Sequence, residues 1–298
     1  MEQLMRARLL GGRPEDPALL FGDRTITYGE LERHIEARRE QLGDTRRLVL
    51  ITAANHPEPV ITYLAALTGG HVVLLTADDA DPRRRAALLD AFAPDVIAHG
   101  RAENWMLHEH HPGTRHTLHP DLALLSSTSG STGSPKLVRL SLENVLSNAA
   151  AIGEYLNLTP ADRAATTLPL QYCYGLSVVN SHLLAGASLL LTDDSVADET
   201  FWSAFAAAGA TSFAGVPYTF DLLDASGFGS RELPSLRYIT QAGGRLNPDD
   251  ARRHIDLAAA RGYEFFTMYG QTEATARMAY VPPALAASAI GSIGRPIP

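Results

Sequence analysis

The segment from Thr128 to Lys136, TSGSTGSPK, puts two glycines, a run of hydroxyls and one cation side by side. Gly130 and Gly133 let neighbouring backbone N–H groups turn toward a common anion. Thr128, Ser129, Ser131 and Thr132 add hydroxyl donors, and Lys136 supplies a point charge. That set suits a phosphate. A flexible linker shares the composition, but it has no need of the strand-like DLALLSS before it or of Pro135 and Lys136 after it. Lys136 is also the single lysine among 25 basic residues, so either chance or a need for a compact ammonium has kept it. Two familiar phosphate loops fail on spacing. A Walker loop needs four residues between its glycines and Ser or Thr after the lysine, whereas two residues separate Gly130 from Gly133 and Leu137 follows Lys136. A GxGxxG turn needs glycine where Thr128 stands.

Other reactive residue types are sparse. His108, His110, His111, His116 and His119 crowd one stretch, but their irregular spacing beside Pro and Gly reads as a solvated connecting loop rather than a metal cluster. Cys173 is the only cysteine, which excludes an internal disulfide or a cysteine-based metal site and fits a reducing compartment. No histidine falls near it in sequence, so it reads as a packed wall residue, not a nucleophile. EFFTMYGQTEA reads as a buried strand ending in a turn, which puts Glu273 at a strand's carboxyl end, where parallel sheets place their sites.

The elements that must position these residues follow from periodicity. TITYGELERHIEARREQL gives a short strand and then an amphipathic helix carrying Leu31, Ile35 and Leu42. LVLITAA, HVVLLTA and DVIAHG read as buried strands. Between them lie helices HPEPVITYLAALTGG, stopped by Gly69 and Gly70, and DPRRRAALLDAFAP, opened by Asp81 and Pro82. This βαβαβ rhythm predicts an α/β fold with mostly parallel sheets flanked by helices. Residues 101–120 break the pattern, and after the glycine-rich segment a short apolar stretch leads to a helix with Ser141 as its N-cap.

Thr128 to Lys136 match every fixed position of the T-S-G-[ST]-T-G-x-P-K loop of the adenylate-forming superfamily of acyl-CoA synthetases, aryl-CoA ligases, luciferases and peptide-synthetase adenylation domains, which this chain resembles. Further matches come in that family's order: LPLQYCYGLSV as its acyl-pocket segment, QAGGRL as its adenine-side segment, MYGQTEAT as its Y-G-x-T-E motif and GSIGRPIP as its I-G-x-P segment. The resemblance implies ATP-dependent activation of a fatty or aryl carboxylic acid to an acyl-adenylate, then transfer to a thiol of coenzyme A or a carrier-protein pantetheine. It implies that the loop and Lys136 hold phosphates, that Glu273 holds Mg²⁺, that Thr272 bonds the α-phosphate, and that Lys136, Thr272 and Glu273 are the catalytic set. Gly243, Gly244, Arg245, Tyr269 and Gly270 would face adenine. Tyr172, Cys173, Tyr174, Gly175, Val178 and Tyr218 would line an apolar acyl pocket, with Gly243 and Gly244 beside them, although each of these is also compatible with ordinary core packing. Tyr172 departs from the family's His version. Cys173 stands where peptide-synthetase domains carry Asp, so an amino-acid ammonium would lack a counter-charge.

The same resemblance implies two packed subdomains, one over 41–160 with the loop 128–136, the other over 1–40 plus 161–290. Residues 291–298 would begin a segment that continues, in the family, into a β-barrel subdomain and a mobile C-terminal domain. The expectation is therefore a truncated N-terminal piece with poor turnover, or a non-catalytic nucleotide-binding or interaction piece on the same scaffold. Across the 298 residues a hydrophobic share of 45% and a net charge of −8 predict a folded chain with no broad nucleic-acid footprint. No apolar run is long enough for a signal peptide or a membrane span, so a cytoplasmic location is expected.

Overall fold

The computed structural model describes residues 9–77, 82–128 and 136–298. Strands β1 (Pro17–Phe21) and β2 (Arg24–Thr27) precede helix α1 (Tyr28–Leu42). Then come β3 (Leu48–Ala53), α2 (Pro57–Thr68), β4 (Val72–Ala77), α3 (Pro82–Phe92), β5 (Val96–His99), β6 (Met106–Glu109), β7 (Leu122–Ser127), β8 (Leu137–Ser141) and α4 (Leu142–Tyr155). The chain continues through β9 (Arg163–Ala165), α5 (Cys173–Leu184), β10 (Ser188–Leu190), α6 (Glu199–Ala208), β11 (Ser212–Gly215) and α7 (Pro217–Ala225). It ends with β12 (Tyr238–Gln241), α8 (Pro248–Arg261), β13 (Glu264–Tyr269), β14 (Ala279–Val281) and β15 (Arg295–Pro296).

These strands make two sheets. One has nine strands in the order β15-β14-β13-β12-β11-β9-β10-β1-β2, parallel from β13 to β1 and closed by antiparallel strands at both edges. The other has six, β6-β5-β3-β4-β7-β8, parallel at its centre and antiparallel at its two edges. Central strands such as LVLITA are buried on both faces, which is why they read as continuous apolar runs rather than alternating ones.

Helices fill the space between and outside the sheets. One core joins them: Val49 and Ile51 of β3 and Tyr63 and Leu64 of α2 share a cluster with Leu19 of β1, Val179 and Leu183 of α5, and Ile152 of α4. A second, aromatic core on the far side of the large sheet gathers Phe201, Trp202 and Phe205 of α6, Phe213 of β11 and Phe220 of α7. The third covers the far side of the small sheet with Leu88, Leu89 and Phe92 of α3. The result is five layers, helices alternating with sheets. No helix among the described residues is long and apolar enough to cross a membrane.

Local signals set the helix starts. Thr27 and Glu30 form a reciprocal capping box at α1, and Ser141 does the same with Asn144 at α4. One sequence expectation is corrected. Within 101–120, Met106–Glu109 is an edge strand antiparallel to β5, placing His108 opposite Ile97. Backbone pairing at an open edge supplied the order that the polar composition did not signal. Among the described residues, no group of three or more His, Cys, Asp or Glu is arranged to hold a metal.

Candidate functional site

Parallel strands deliver their carboxyl ends to one side of the large sheet, and a cavity of about 640 Å³ opens there. It falls within the usual range of small-molecule sites, roughly 300–1,000 Å³. Its wall is built from the turn after β12 (Gln241 to Leu246), the turn after β13 (Tyr269 to Glu273), Ala276 and Arg277, the start of α5 (Tyr172 to Tyr174), Thr128 after β7, and Ile290 to Ile293.

Each turn is held by its own sequence. After β12 the Gln241 side-chain amide donates to the Gly244 carbonyl at 2.8 Å, closing the turn on itself. Gly243 adopts φ +78°, and a Cβ there would press on the Tyr172 hydroxyl and Val216, so glycine is required twice over. After β13 a 3₁₀ turn, Thr272–Ala274, is pulled back by Ala276 N–H donating to the Gln271 carbonyl at 3.1 Å. Gly270 passes so close to the Ala276 carbonyl that any Cβ would collide with it. The return is strained: Thr275 has φ +61° and Ala276 φ +97°, a region that residues with a Cβ rarely adopt.

The turn presents unlike groups in different environments. The Tyr269 ring is 41% exposed in the cavity wall, an aromatic face open to a ligand. Glu273 is exposed, whereas Thr272 is buried, its hydroxyl donating to Cys173 Sγ at 3.4 Å. Burial pushes the Cys173 thiol above its ordinary pKa, which makes it a poor nucleophile. Behind them Tyr174 donates to Thr240 Oγ1 at 2.8 Å, and Arg277 lies buried against Tyr174.

The structure therefore gathers Thr128, Tyr172, Cys173, Tyr174, Gly243, Gly244, Arg245, Tyr269, Gly270, Thr272 and Glu273 around one cavity. Three expected pocket residues stand elsewhere. Gly175 is packed where a Cβ would strike the Pro169 carbonyl, Val178 is buried in the shared core, and Tyr218 at the start of α7 is 68% exposed and does not line the cavity. In α5 the cavity takes only the first turn, since the helix then runs into the core. Lys136 is exposed at the start of β8, and pairing of Ser127 with Leu137 sets it across from Thr128 at the neck of the glycine-rich segment. Ser129, Gly130, Ser131, Thr132 and Gly133 lie outside the described residues. Arg277 had no sequence signal, being one arginine in an otherwise small and apolar run, ATARMAY.

A family model described as "AMP-binding enzyme" matches residues 7–298. The indoleacetate–CoA ligase of Aromatoleum aromaticum is 29% identical over 98% of this chain, which spans 64% of that ligase's length. Among solved structures, the o-succinylbenzoate coenzyme A synthetase of Bacillus subtilis, in complex with AMP, superimposes with a TM-score of 0.80 at 23% identity, covering 99% of this chain and 64% of the synthetase. VinN in complex with L-aspartate gives a TM-score of 0.84 at 22% identity, covering 100% of this chain and 82% of VinN. With the family model covering nearly its whole length, the chain belongs to the AMP-binding enzyme family.

Proposed function

We propose that the cavity binds ATP and a carboxylic acid together and joins them as an acyl-adenylate, for later transfer to the thiol of coenzyme A or a carrier protein. The observation that carries this reading is the convergence, at one cavity, of an exposed aromatic face (Tyr269), an exposed carboxylate (Glu273), a buried hydroxyl (Thr272) and the first turn of α5 with Tyr172, Cys173 and Tyr174. The relatives support the same chemistry. One is named for indoleacetate and CoA, another for o-succinylbenzoate and CoA, and the latter is solved with AMP.

In this reading the nucleotide lies along the turn after β13, with adenine against Tyr269 and the turn 243–245. Lys136 and Thr272, the latter by turning its single O–H from Cys173 Sγ, donate to phosphate oxygens, whose negative charge grows as pyrophosphate leaves. The donor set fits Mg²⁺ as a companion of the nucleotide: a single exposed carboxylate, Glu273, with no three-residue cage among the described residues, suits a cation that keeps water and phosphate oxygens as its other ligands. When bound, the ion would neutralise phosphate charge. Glu273 would hold it, and the other residues bind and orient. The acid enters the recess beside Tyr172, Cys173 and Tyr174, where the wall shields a mixed anhydride from water.

Calorimetric titration tests the reading. AMP and adenosine 5′-(N-acyl)sulfamates, stable mimics of the adenylate, are titrated into the 298-residue chain. An acyl sulfamate that binds at least tenfold more tightly than AMP, about 1.4 kcal/mol, is expected because it fills both parts of the cavity. Binding of neither ligand, or an acyl group that adds nothing for any acid tried, would overturn the proposal.

A further inference from the structure

Arg277 is 3% exposed, yet it lines the cavity. Its Nη1 donates to the Tyr155 hydroxyl at 2.8 Å, with Met268 Sδ at 3.5 Å, and its Cζ stands 5.1 Å from the centre of the Tyr174 ring. Its Nε, fully buried, has no hydrogen-bond partner. Among the described residues no carboxylate pairs with it: the nearby Asp162 is engaged by Arg237 at 2.7 Å, and Glu273 belongs to the exposed rim.

Nothing else among the described residues supplies the missing charge. The surrounding phenols of Tyr155, Tyr174 and Tyr238 are all held above their ordinary pKa by burial, so they are neutral dipoles near pH 7. A guanidinium does not shed its proton in a protein. Taking it out of water without a counter-charge is costly, and an apolar residue of similar volume would be the more stable choice. A cation kept in that position, on a strained backbone at Ala276, is compensated by something that comes from outside the chain.

The nucleotide is the wrong candidate for that charge. Its phosphates belong with the exposed side of the turn, at Glu273 and the neck of the glycine-rich segment, whereas Arg277 lies inward, against Tyr174 and Met268. The inward side is where the acid's body goes. A plain hydrocarbon tail would set methylenes against the guanidinium and leave the charge buried and unpaired. Resting on the acid-activation reading above, we infer that Arg277 is the counter-charge for a second anionic group at the far end of the acid, and that the substrate class is a dicarboxylic acid. One carboxylate reaches the nucleotide and the other meets Arg277. Arg277 is thus a specificity-determining residue, and the expected apolar recess is apolar only in its first turn.

The test compares matched acids on the wild-type chain saturated with AMP: succinate against butyrate, glutarate against valerate, adipate against hexanoate, terephthalate against 4-methylbenzoate. At least one diacid is expected to bind tenfold or more tightly than its partner. Arg277→Met is expected to abolish that preference and Arg277→Lys to keep part of it. A merely structural arginine would lower the melting temperature when replaced; here Arg277→Met is expected to melt no lower than wild type, because an uncompensated charge has been removed and Tyr155 keeps its own donation to Met268 Sδ at 2.9 Å. Monoacids that bind as tightly as diacids to the wild type would overturn the inference while leaving acid activation standing. Loss of both acid classes alike in Arg277→Met would overturn it too, by placing the guanidinium on the reacting carboxylate. If AMP binds and no acid of either class does, acid activation itself fails and this inference falls with it.

Discussion

Glu273 and Arg277 lie four residues apart on one turn and face opposite electrostatic conditions. The carboxylate is in contact with solvent and is free to exchange water for a cation arriving with phosphates. The guanidinium is enclosed. Replacing Glu273 by Gln preserves shape and removes the anion, so Mg²⁺ is expected to tighten ATP binding to the wild type but to add at least tenfold less in the variant, about 1.4 kcal/mol. Titrations of ATP with and without Mg²⁺ measure this, and an equal Mg²⁺ increment in the two proteins would remove Glu273 from the metal. Glu273 was legible in the sequence because Tyr269, Gly270, Thr272 and Glu273 form a motif with fixed spacing. Arg277 was not, because its distinction is burial without a partner, which is a property of the surroundings and not of residue type or spacing; the chain has 24 other basic residues, and most solvate.

At the scale of elements, strand interiors and helix caps were the readable part. Continuous apolar runs marked the strands buried between layers, and Ser141 marked the start of α4. The edge strand Met106–Glu109 carried no such mark, since its order comes from β5 beside it. Helix α5 carried no helical signal in its sequence reading, only a likeness to an acyl-pocket segment, and the residues of that segment divide between cavity and core. Gly175 sits in a segment expected to line the pocket, but its missing side chain lets the first turn of α5 approach the Leu168 and Pro169 carbonyls, and this approach sets where Tyr172, Cys173 and Tyr174 stand. Gly175→Ala would force a Cβ against backbone oxygens that cannot rotate away. The expected cost is about 1–3 kcal/mol of unfolding free energy, as for other overpacked cores, together with weaker acyl-sulfamate binding as the turn is pushed out. Urea denaturation beside the titration checks both, and an alanine variant of wild-type stability would show that α5 has slack the present geometry does not suggest.

At the scale of the whole molecule, the layer shared by the two sheets contains an ionisable group that couples the fold to pH. His182 on α5 is buried, with Nδ1 2.8 Å from the Val178 carbonyl and Nε2 3.1 Å from the Tyr238 hydroxyl. A carbonyl can only accept, so Nδ1 carries the proton and Nε2 accepts from Tyr238 on β12, tying the helix layer to the large sheet. Burial pulls the folded pKa of His182 down to about 4, and it does the same at His71, also to about 4, where α2 turns into β4. In the unfolded chain both protonate near 6.5. Between those values the unfolded state binds more protons than the folded one, so the contribution is fully present above about pH 6.5 and is lost as the pH falls toward 4. At pH 5 each histidine accounts for a loss on the order of 2 kcal/mol. We expect the urea midpoint to fall markedly from pH 7.5 to pH 5, and the ring resonances of His182 to show no titration near 6.5 while the chain is folded. The carboxylates with lowered values, Asp16, Glu30 and Glu199, cannot mimic this, because they start from ordinary values near 4 and lose their share only at more acidic pH. A midpoint that holds steady between pH 7.5 and 5, or a His182 ring that takes up a proton near 6.5 in the folded chain, would show that the shared layer admits water, and the link between helix layer and sheet would then have to rest on apolar contact alone.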